Sequence, residues 1–194
     1  MKTPYNKYYE TRNLFGEPHL VLIDFFKSLA KNLKVLDIGA GQGRNAIPLA
    51  QLGFDVTALD ISEKGLNQIR EEAFRQGLEI HLIEGDLYNL KVQLDNFDIY
   101  LLDSMLHFYK KDRIKEEEMV MNLVNHLRNN AFMVFCLPHK PWTYLKQFLA
   151  GVRNLVLEKE AAFDYTFSSS DNSTSVTPYY FAAYQKKIHE ANPQ

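Results

Sequence analysis

Hydrophobic positions along the chain follow two alternating rhythms. Short, nearly continuous apolar runs occur at Lys34–Ile38, Phe54–Leu59, Leu78–Ile83, Phe97–Leu102 and Ala131–Cys136. Such runs suit strands that are covered on both faces. Between them, apolar residues recur three or four positions apart. Leu20, Ile23, Leu29, Ala30 and Leu33 predict an amphipathic helix after Pro18. Leu66, Ile69 and Ala73 predict another, running from an N-cap at Ser62 to Gln76 and closed by Gly77. Met119, Val120, Leu123, Val124 and Leu127 form a third stripe behind Asp112, which reads as its cap, and a short helix is expected from about Trp142 to Val152. Arg44–Leu52 also reads as a helix, stopped by Gly53. Pro48 is tolerable there because the first turn of a helix has no intrahelical use for its amides.

Beyond Arg153 the rhythm changes. Two long β-rich runs, Asn154–Phe167 and Val176–Lys186, flank the polar turn Ser168–Ser175. Phe163, Tyr165 and Phe167 alternate, as a half-buried hairpin requires. Five rounds of strand and helix followed by two strands predict an α/β fold. The expected architecture is a doubly wound, mostly parallel seven-stranded sheet with helices on both faces and a C-terminal antiparallel hairpin. No linker, repeat or low-complexity stretch interrupts the 194 residues, so one domain over 1–194 is expected, with 1–33 as an N-terminal arm and cover helix. The arm, Thr3–Glu17, is rich in Tyr and Asn without periodicity. It reads either as a loosely packed terminus or as an aromatic lid over a site.

A hydrophobic content of 46% fits a protein with a filled core. A net charge of −2 argues against a surface built to hold phosphate backbones, so no nucleic-acid partner is expected. The single Cys136 can form no internal disulfide and excludes a multi-cysteine metal site within one chain; no metal is expected. No apolar run approaches the ~20 residues of a membrane span, and the start lacks the apolar stretch of a signal peptide. The expectation is a cytoplasmic protein without a membrane partner.

In such a sheet, ligands bind beyond the carboxyl ends of the strands. The first strand ends in Asp37 and the turn Gly39-Ala-Gly41-Gln-Gly43, the second in Asp60, the third in Asp86 and the fourth in Asp103. Four carboxylates in phase at one sheet edge exceed what turn chemistry asks for. Glycines accept positive φ and leave no Cβ between backbone and ligand. Asp37 would repel a pyrophosphate and hold a ligand carrying positive charge. The third glycine also comes one position early for the dinucleotide signature. A nicotinamide site is therefore the weaker fit.

Val35-Leu-Asp-Ile-Gly-Ala-Gly-Gln-Gly43 resembles the first motif of class I S-adenosylmethionine-dependent methyltransferases. Ala58-Leu-Asp60, Glu84-Gly-Asp86 and Phe97–Asp103 resemble the next three motifs, in the right order, and the closing hairpin matches the last two strands of that superfamily. Gly41-Gln-Gly-Arg-Asn-Ala-Ile-Pro-Leu-Ala50 with Gly53–Asp60, together with the Tyr-rich arm, is most similar to the tellurite-resistance-type members. The resemblance implies S-adenosylmethionine as cofactor and assigns roles to individual residues. The backbone of Gly39, Ala40, Gly41 and Gly43 would hold the amino-acid end of the cofactor, with its α-ammonium on Asp37 and its carboxylate at Arg44 and Asn45. Asp60 would accept both ribose hydroxyls, Ile61 and Leu87 would sandwich the adenine, and Asp86 would accept its amino hydrogens. Ser62, just after the second motif, is expected among the cofactor-binding residues. Asp103, Ser104 and Met105 would lie beneath the sulfonium and methyl group.

The implied reaction is an in-line displacement in which the protein mainly aligns the acceptor and excludes water. A base is needed only where the acceptor must lose a proton, and His107 is the candidate. His139, Trp142 and Tyr144 are read either as acceptor-pocket lining or as a loop packed on the hairpin. After the fourth strand the chain reads Asp103-Ser-Met-Leu, without the Pro-Pro motif of base-amino methylation. Neither the cysteines of arsenite methyltransferases nor a paired acidic motif for metal-dependent catechol methylation is found. A small-molecule methyl acceptor is the resulting expectation. The alternative is a cofactor-binding regulatory or accessory module without turnover.

Overall fold

The structure, a computed structural model, describes residues 5–89, 92–168 and 174–187. The five apolar runs form parallel strands: β1 (Lys34–Ile38), β2 (Asp55–Asp60), β3 (Ile80–Glu84), β4 (Ile99–Asp103) and β5 (Phe132–Pro138). The closing runs form β6 (Leu155–Ser168) and β7 (Thr174–Lys186). β7 pairs antiparallel with both β5 and β6, giving the sheet order β3-β2-β1-β4-β5-β7-β6. The chain begins in the middle of the sheet, works outward to β3, then returns past β1 to β4. That reversal between β1 and β4 opens the crevice in which this sheet type binds ligands.

The strands bury both faces, which is why their sequences looked continuous. Val35, Ile99, Leu101, Val134, Phe181 and Ala183 point to one core. Leu36, Tyr100, Leu102, Met133, Phe135 and Tyr184 point to the other. The first core is covered by α2 (Leu20–Lys27), α3 (Ala46–Gln51) and α4 (Glu63–Gln76). The second is covered by α5 (Arg113–His126) and α6 (His139–Leu149). At eight residues α2 is too short to persist alone. It is held by burial of Leu22, Phe25 and Phe26, each worth roughly 1.5–3 kcal/mol.

Several boundaries differ from the sequence reading. α3 begins at Ala46, two residues after Arg44, because the turn runs through Gly43 at φ 88° and Asn45 occupies the cap position. α6 starts at His139 directly from β5, without the loop expected before Trp142. Asp112 precedes α5 in helical conformation and makes no side-chain cap bond. Within the arm, Tyr5–Tyr8 forms a short helix, α1. Thr3 and Pro4 of the arm and residues 169–173 of the hairpin turn lie outside the described residues.

Ser62 caps α4 as expected, accepting a hydrogen bond from the Gly65 amide at 3.2 Å. Gly65 has a second role that helical periodicity does not show. A Cβ at this position would lie 2.4 Å from the Gly41 carbonyl oxygen and 3.1 Å from the ring of Tyr9. The first turn of α4 therefore presses against the glycine turn and the arm at once. Gly65→Ala should destabilise the protein by about 1–3 kcal/mol through overpacking, although glycine-to-alanine in a free helix is favourable by up to ~1 kcal/mol. Urea unfolding of both proteins decides the sign, and a stabilised variant would show that the contact is slack.

Candidate functional site

All three glycines of the turn after β1 adopt left-handed conformations, with φ of 78° at Gly39, 55° at Gly41 and 88° at Gly43. Their amides are engaged inside the fold. Gly39 and Ala40 donate to Leu59 O at 2.8 and 3.0 Å, and Gly43 donates to Ala40 O at 2.9 Å. Gly41 donates to Asp60 Oδ2 at 2.8 Å, and the other Asp60 oxygen accepts from Ser62 N at 2.8 Å. One carboxylate thus ties the β1 turn to the start of α4. Burial raises the pKa of Asp60, while the amides of Ser62, Gly41 and Ile61 work against that rise.

A second carboxylate, Asp103, ends β4. Its Oδ2 receives Arg44 Nη2 at 2.7 Å and Asn45 Nδ2 at 2.9 Å; its Oδ1 receives Ser104 Oγ at 3.0 Å. His19 Nε2 stands 3.5 Å away and has no hydrogen-bond partner. Burial favours protonation of Asp103, but the Arg44 guanidinium, aided by His19 and Asn45, holds its carboxyl well below the usual range. Cys136 joins this cluster from β5, and burial pushes its thiol up. Single ligand atoms of His19, Asp103 and Cys136 lie within 4.8 Å of one another. Arg44 already supplies the positive charge that Asp103 needs there. Ser104 carries a φ of 61°, a strained value for a non-glycine residue, of the kind that gathers at functional sites.

These elements border a cavity of about 1310 Å³. Gly39, Ala40, Gly41, Gly43, Asp60, Ile61, Asp86 and Leu87 line one side; Arg44, Asn45, Asp103, Ser104, Met105 and His107 line the rest of the expected set. The Met105 thioether lies over Gly39, where a Cβ would meet its sulfur at 2.0 Å. Asp37 and Ser62 do not reach the cavity. Asp37 shares the face of β1 with Val35, accepts the Ala46 amide, and is 1% exposed with Oδ2 unpartnered. Ser62 is fully buried beneath the arm, donating to Asn6 Oδ1 at 2.6 Å. Arg44 and Asn45, expected to stand ready for a ligand's carboxylate, are bound to Asp103, and Arg44 Nη1 also donates to Phe15 O at 3.2 Å. Asp86 is exposed and accepts the Tyr88 amide at 3.0 Å.

The sequence reading overlooked one wall, the hairpin's Tyr165, Phe167 and Tyr179. The alternation of Phe163, Tyr165 and Phe167 was the available signal, but it marks a buried face without saying what that face covers. The arm, read as either a loose terminus or a lid, lines the cavity with Tyr9, Arg12, Asn13, Phe15, Gly16 and Glu17. Gln42 clamps the arm to the glycine turn: its oxygen accepts Leu14 N at 3.0 Å and its nitrogen donates to Thr11 O at 2.7 Å. His139, Trp142 and Tyr144 are not brought to the cavity, because α6 packs on the opposite core. Trp142 is buried against Tyr180 and donates to Glu160 at 2.9 Å; Tyr144 packs on Phe108, with its hydroxyl on Glu117. His107 lies exposed at the cavity edge, stacked on Tyr109 at 5.3 Å.

A sequence profile describing a methyltransferase domain matches residues 35–130. The chain is 47% identical over 77 residues to the uncharacterized methyltransferase YbaJ of Bacillus subtilis (strain 168), covering 39% of this chain and 30% of that protein. It is 29% identical over 122 residues to the probable S-adenosyl-L-methionine-dependent methyltransferase TehB of Haemophilus influenzae (strain ATCC 51907 / DSM 11121 / KW20 / Rd), covering 63% of this chain and 40% of TehB. The chain thus spans less than half the length of these relatives. The crystal structure of TehB from Haemophilus influenzae superposes with a TM-score of 0.71 at 19% identity, over 94% of this chain and 66% of the other. Among the described residues, no helix is long and apolar enough to cross a membrane.

Burial and the neighbouring Asp103 push the carboxyl of Asp37 from 3.8 up to about 8. Between those values the folded chain keeps a proton that the unfolded chain has released, so this group costs stability increasingly as pH rises from 4 to 8. Asp37→Asn should therefore melt higher than the parent by a margin that grows across that window, at roughly 2–4 °C per kcal/mol. Melting curves recorded by circular dichroism at intervals from pH 4 to 8 test this; a margin independent of pH would contradict it.

Proposed function

We propose that the chain is a class I S-adenosylmethionine-dependent methyltransferase, supported by the methyltransferase-domain match over residues 35–130 and the similarity to TehB, and that it transfers the methyl group of that cofactor to a small-molecule acceptor by in-line displacement. When bound, S-adenosylmethionine supplies a methyl carbon already activated by its sulfonium. The glycine turn is the observation that carries the reading. With the amides of Gly39, Ala40, Gly41 and Gly43 directed inward, the turn has no ring of N–H groups to offer a pyrophosphate. It suits a ligand bearing an ammonium.

In this reading the turn backbone holds the amino-acid end of the cofactor. Asp60 accepts the ribose hydroxyls on lone pairs left over by its amide donors. Ile61 and Leu87 flank the adenine, and Asp86 receives its amino hydrogens. Asp103, Ser104 and Met105 lie beneath the reacting centre, with Arg44 and Asn45 fixing Asp103. Asp37 and Ser62 act from behind, one beneath the turn and the other at the start of α4. The arm and the hairpin exclude water from the acceptor's side, and aligning the two partners can supply up to ~7–11 kcal/mol of the barrier. Their aromatic walls favour a small acceptor.

Isothermal titration with S-adenosylhomocysteine tests the cofactor assignment. Binding is expected for the parent chain, with affinity reduced by about tenfold or more in Asp60→Ala, which loses a charged acceptor. NADH should not bind. Tight NADH binding, or an unchanged affinity in Asp60→Ala, would sink the reading.

A further inference from the structure

The cavity holds an oriented chain of hydroxyls that runs from Asp103, at the end of β4, through Ser104 to Tyr179 on the hairpin wall. Ser104 Oγ donates to Asp103 Oδ1 at 3.0 Å. With that proton engaged, the Tyr179 hydroxyl, 3.3 Å from Ser104 Oγ, is the donor of the second link. The Tyr179 oxygen is left with lone pairs at a cavity-lining position. Its ring is fixed by His19, Phe163 and Tyr165, at centroid distances of 5.7, 5.8 and 5.1 Å. Ser104 is held in place by a backbone conformation that glycine adopts more easily.

We propose that Tyr179 is a catalytic residue that accepts a hydrogen bond from a hydroxyl- or thiol-bearing acceptor, and that Tyr179, Ser104 and Asp103 carry the acceptor's proton away during methyl transfer. This inference rests on the methyltransferase reading above. As the acceptor's oxygen or sulfur forms its bond to the methyl carbon, the carbon–sulfur bond of the donor breaks and leaves its electron pair on the donor's sulfur. The acceptor's proton passes to the Tyr179 oxygen, the Tyr179 proton to Ser104, and the Ser104 proton to Asp103 Oδ1. Charge balances: a sulfonium and a carboxylate become a neutral thioether and a neutral acid.

The groups around Asp103 restrict which acceptors can use this path. Arg44 precedes α3, His19 precedes α2, Asp37 lies on β1, Cys136 on β5 and Tyr165 on β6. Arg44 and His19 lower the carboxyl's affinity for a proton. A methylated hydroxyl or thiol that still carries its proton is a far stronger acid than any carboxylic acid and gives that proton up to Asp103. A methylated amine holds its proton far more tightly and has no use for the path. The chain of hydroxyls therefore separates oxygen and sulfur acceptors from nitrogen acceptors.

Phenol, benzenethiol and aniline are the probes, with anisole as a ligand that has no proton to give. Ligand-observed NMR on the full chain should show phenol binding weakened about threefold or more by Tyr179→Phe, with anisole unchanged. In turnover with S-adenosylmethionine, transfer to phenol or benzenethiol is expected to exceed transfer to aniline. The kcat should drop about 100-fold in Tyr179→Phe and in Ser104→Gly, a substitution that keeps the backbone relaxed. Tyr180→Phe, on the opposite face of β7, should match the parent. Equal weakening of phenol and anisole, kcat within twofold of the parent in Tyr179→Phe, or preference for aniline would each overturn the proposal. Transfer to none of the probes while S-adenosylhomocysteine still binds would reject the acceptor class alone; loss of that binding would reject the methyltransferase reading itself.

Discussion

The Asp60 carboxylate is the tie on which the site depends. By accepting the amides of Gly41 and Ser62, it locks the turn after β1 to the junction of β2 and α4. That lock sets the left-handed path of the glycines and brings Gly65 against Gly41. Tyr9 closes over the same contact and carries the arm with it. A ligand meeting Asp60 therefore meets a group whose position is fixed by two separate loops, so little ordering remains to be done on binding.

Three carboxylates, Asp37, Asp60 and Asp103, are buried at the ends of neighbouring strands, and a single guanidinium, that of Arg44, is bound among them, to Asp103. Arg44 can compensate only one of them fully, and geometry awards it to Asp103. Asp60 is satisfied by amides instead. Asp37 has the single amide of Ala46 and no ion pair, and keeps a proton to about pH 8. The division shows how an arrangement that appears as repeated acids in the sequence becomes three chemically distinct groups. One is an anion beside a cation, one is held by amide dipoles, and one keeps its proton.

The fold was readable because doubly covered strands must be apolar throughout, and each of the five announced itself that way. The strand-end lining of the cavity was readable for a related reason. Its residues sit where topology brings distant segments into register, as Asp37 opposite Ala58 and Leu101 shows. The hairpin wall was not readable. Tyr165 and Tyr179 enter the cavity only because β7 runs antiparallel beside β5, and no local pattern reveals what a half-buried strand will face. Trp142 and Tyr144 illustrate the converse. They follow a strand end, yet α6 starts at once and turns them onto the other core. The partnering of Arg44 with Asp103 was hidden too, since it joins residues 59 positions apart.

The hairpin gives the protein a division of labour along its length. Everything proposed to hold the cofactor's amino-acid, ribose and adenine parts lies between residues 39 and 87, whereas Tyr165, Phe167 and Tyr179 come from the end of the chain. β6 is an outer strand bonded to β7 alone, so its inward residues can change without disturbing the parallel strands. Acceptor preference could drift in descendants of this chain, or be redirected by design, through a few substitutions on one ribbon while the cofactor's berth stays constant.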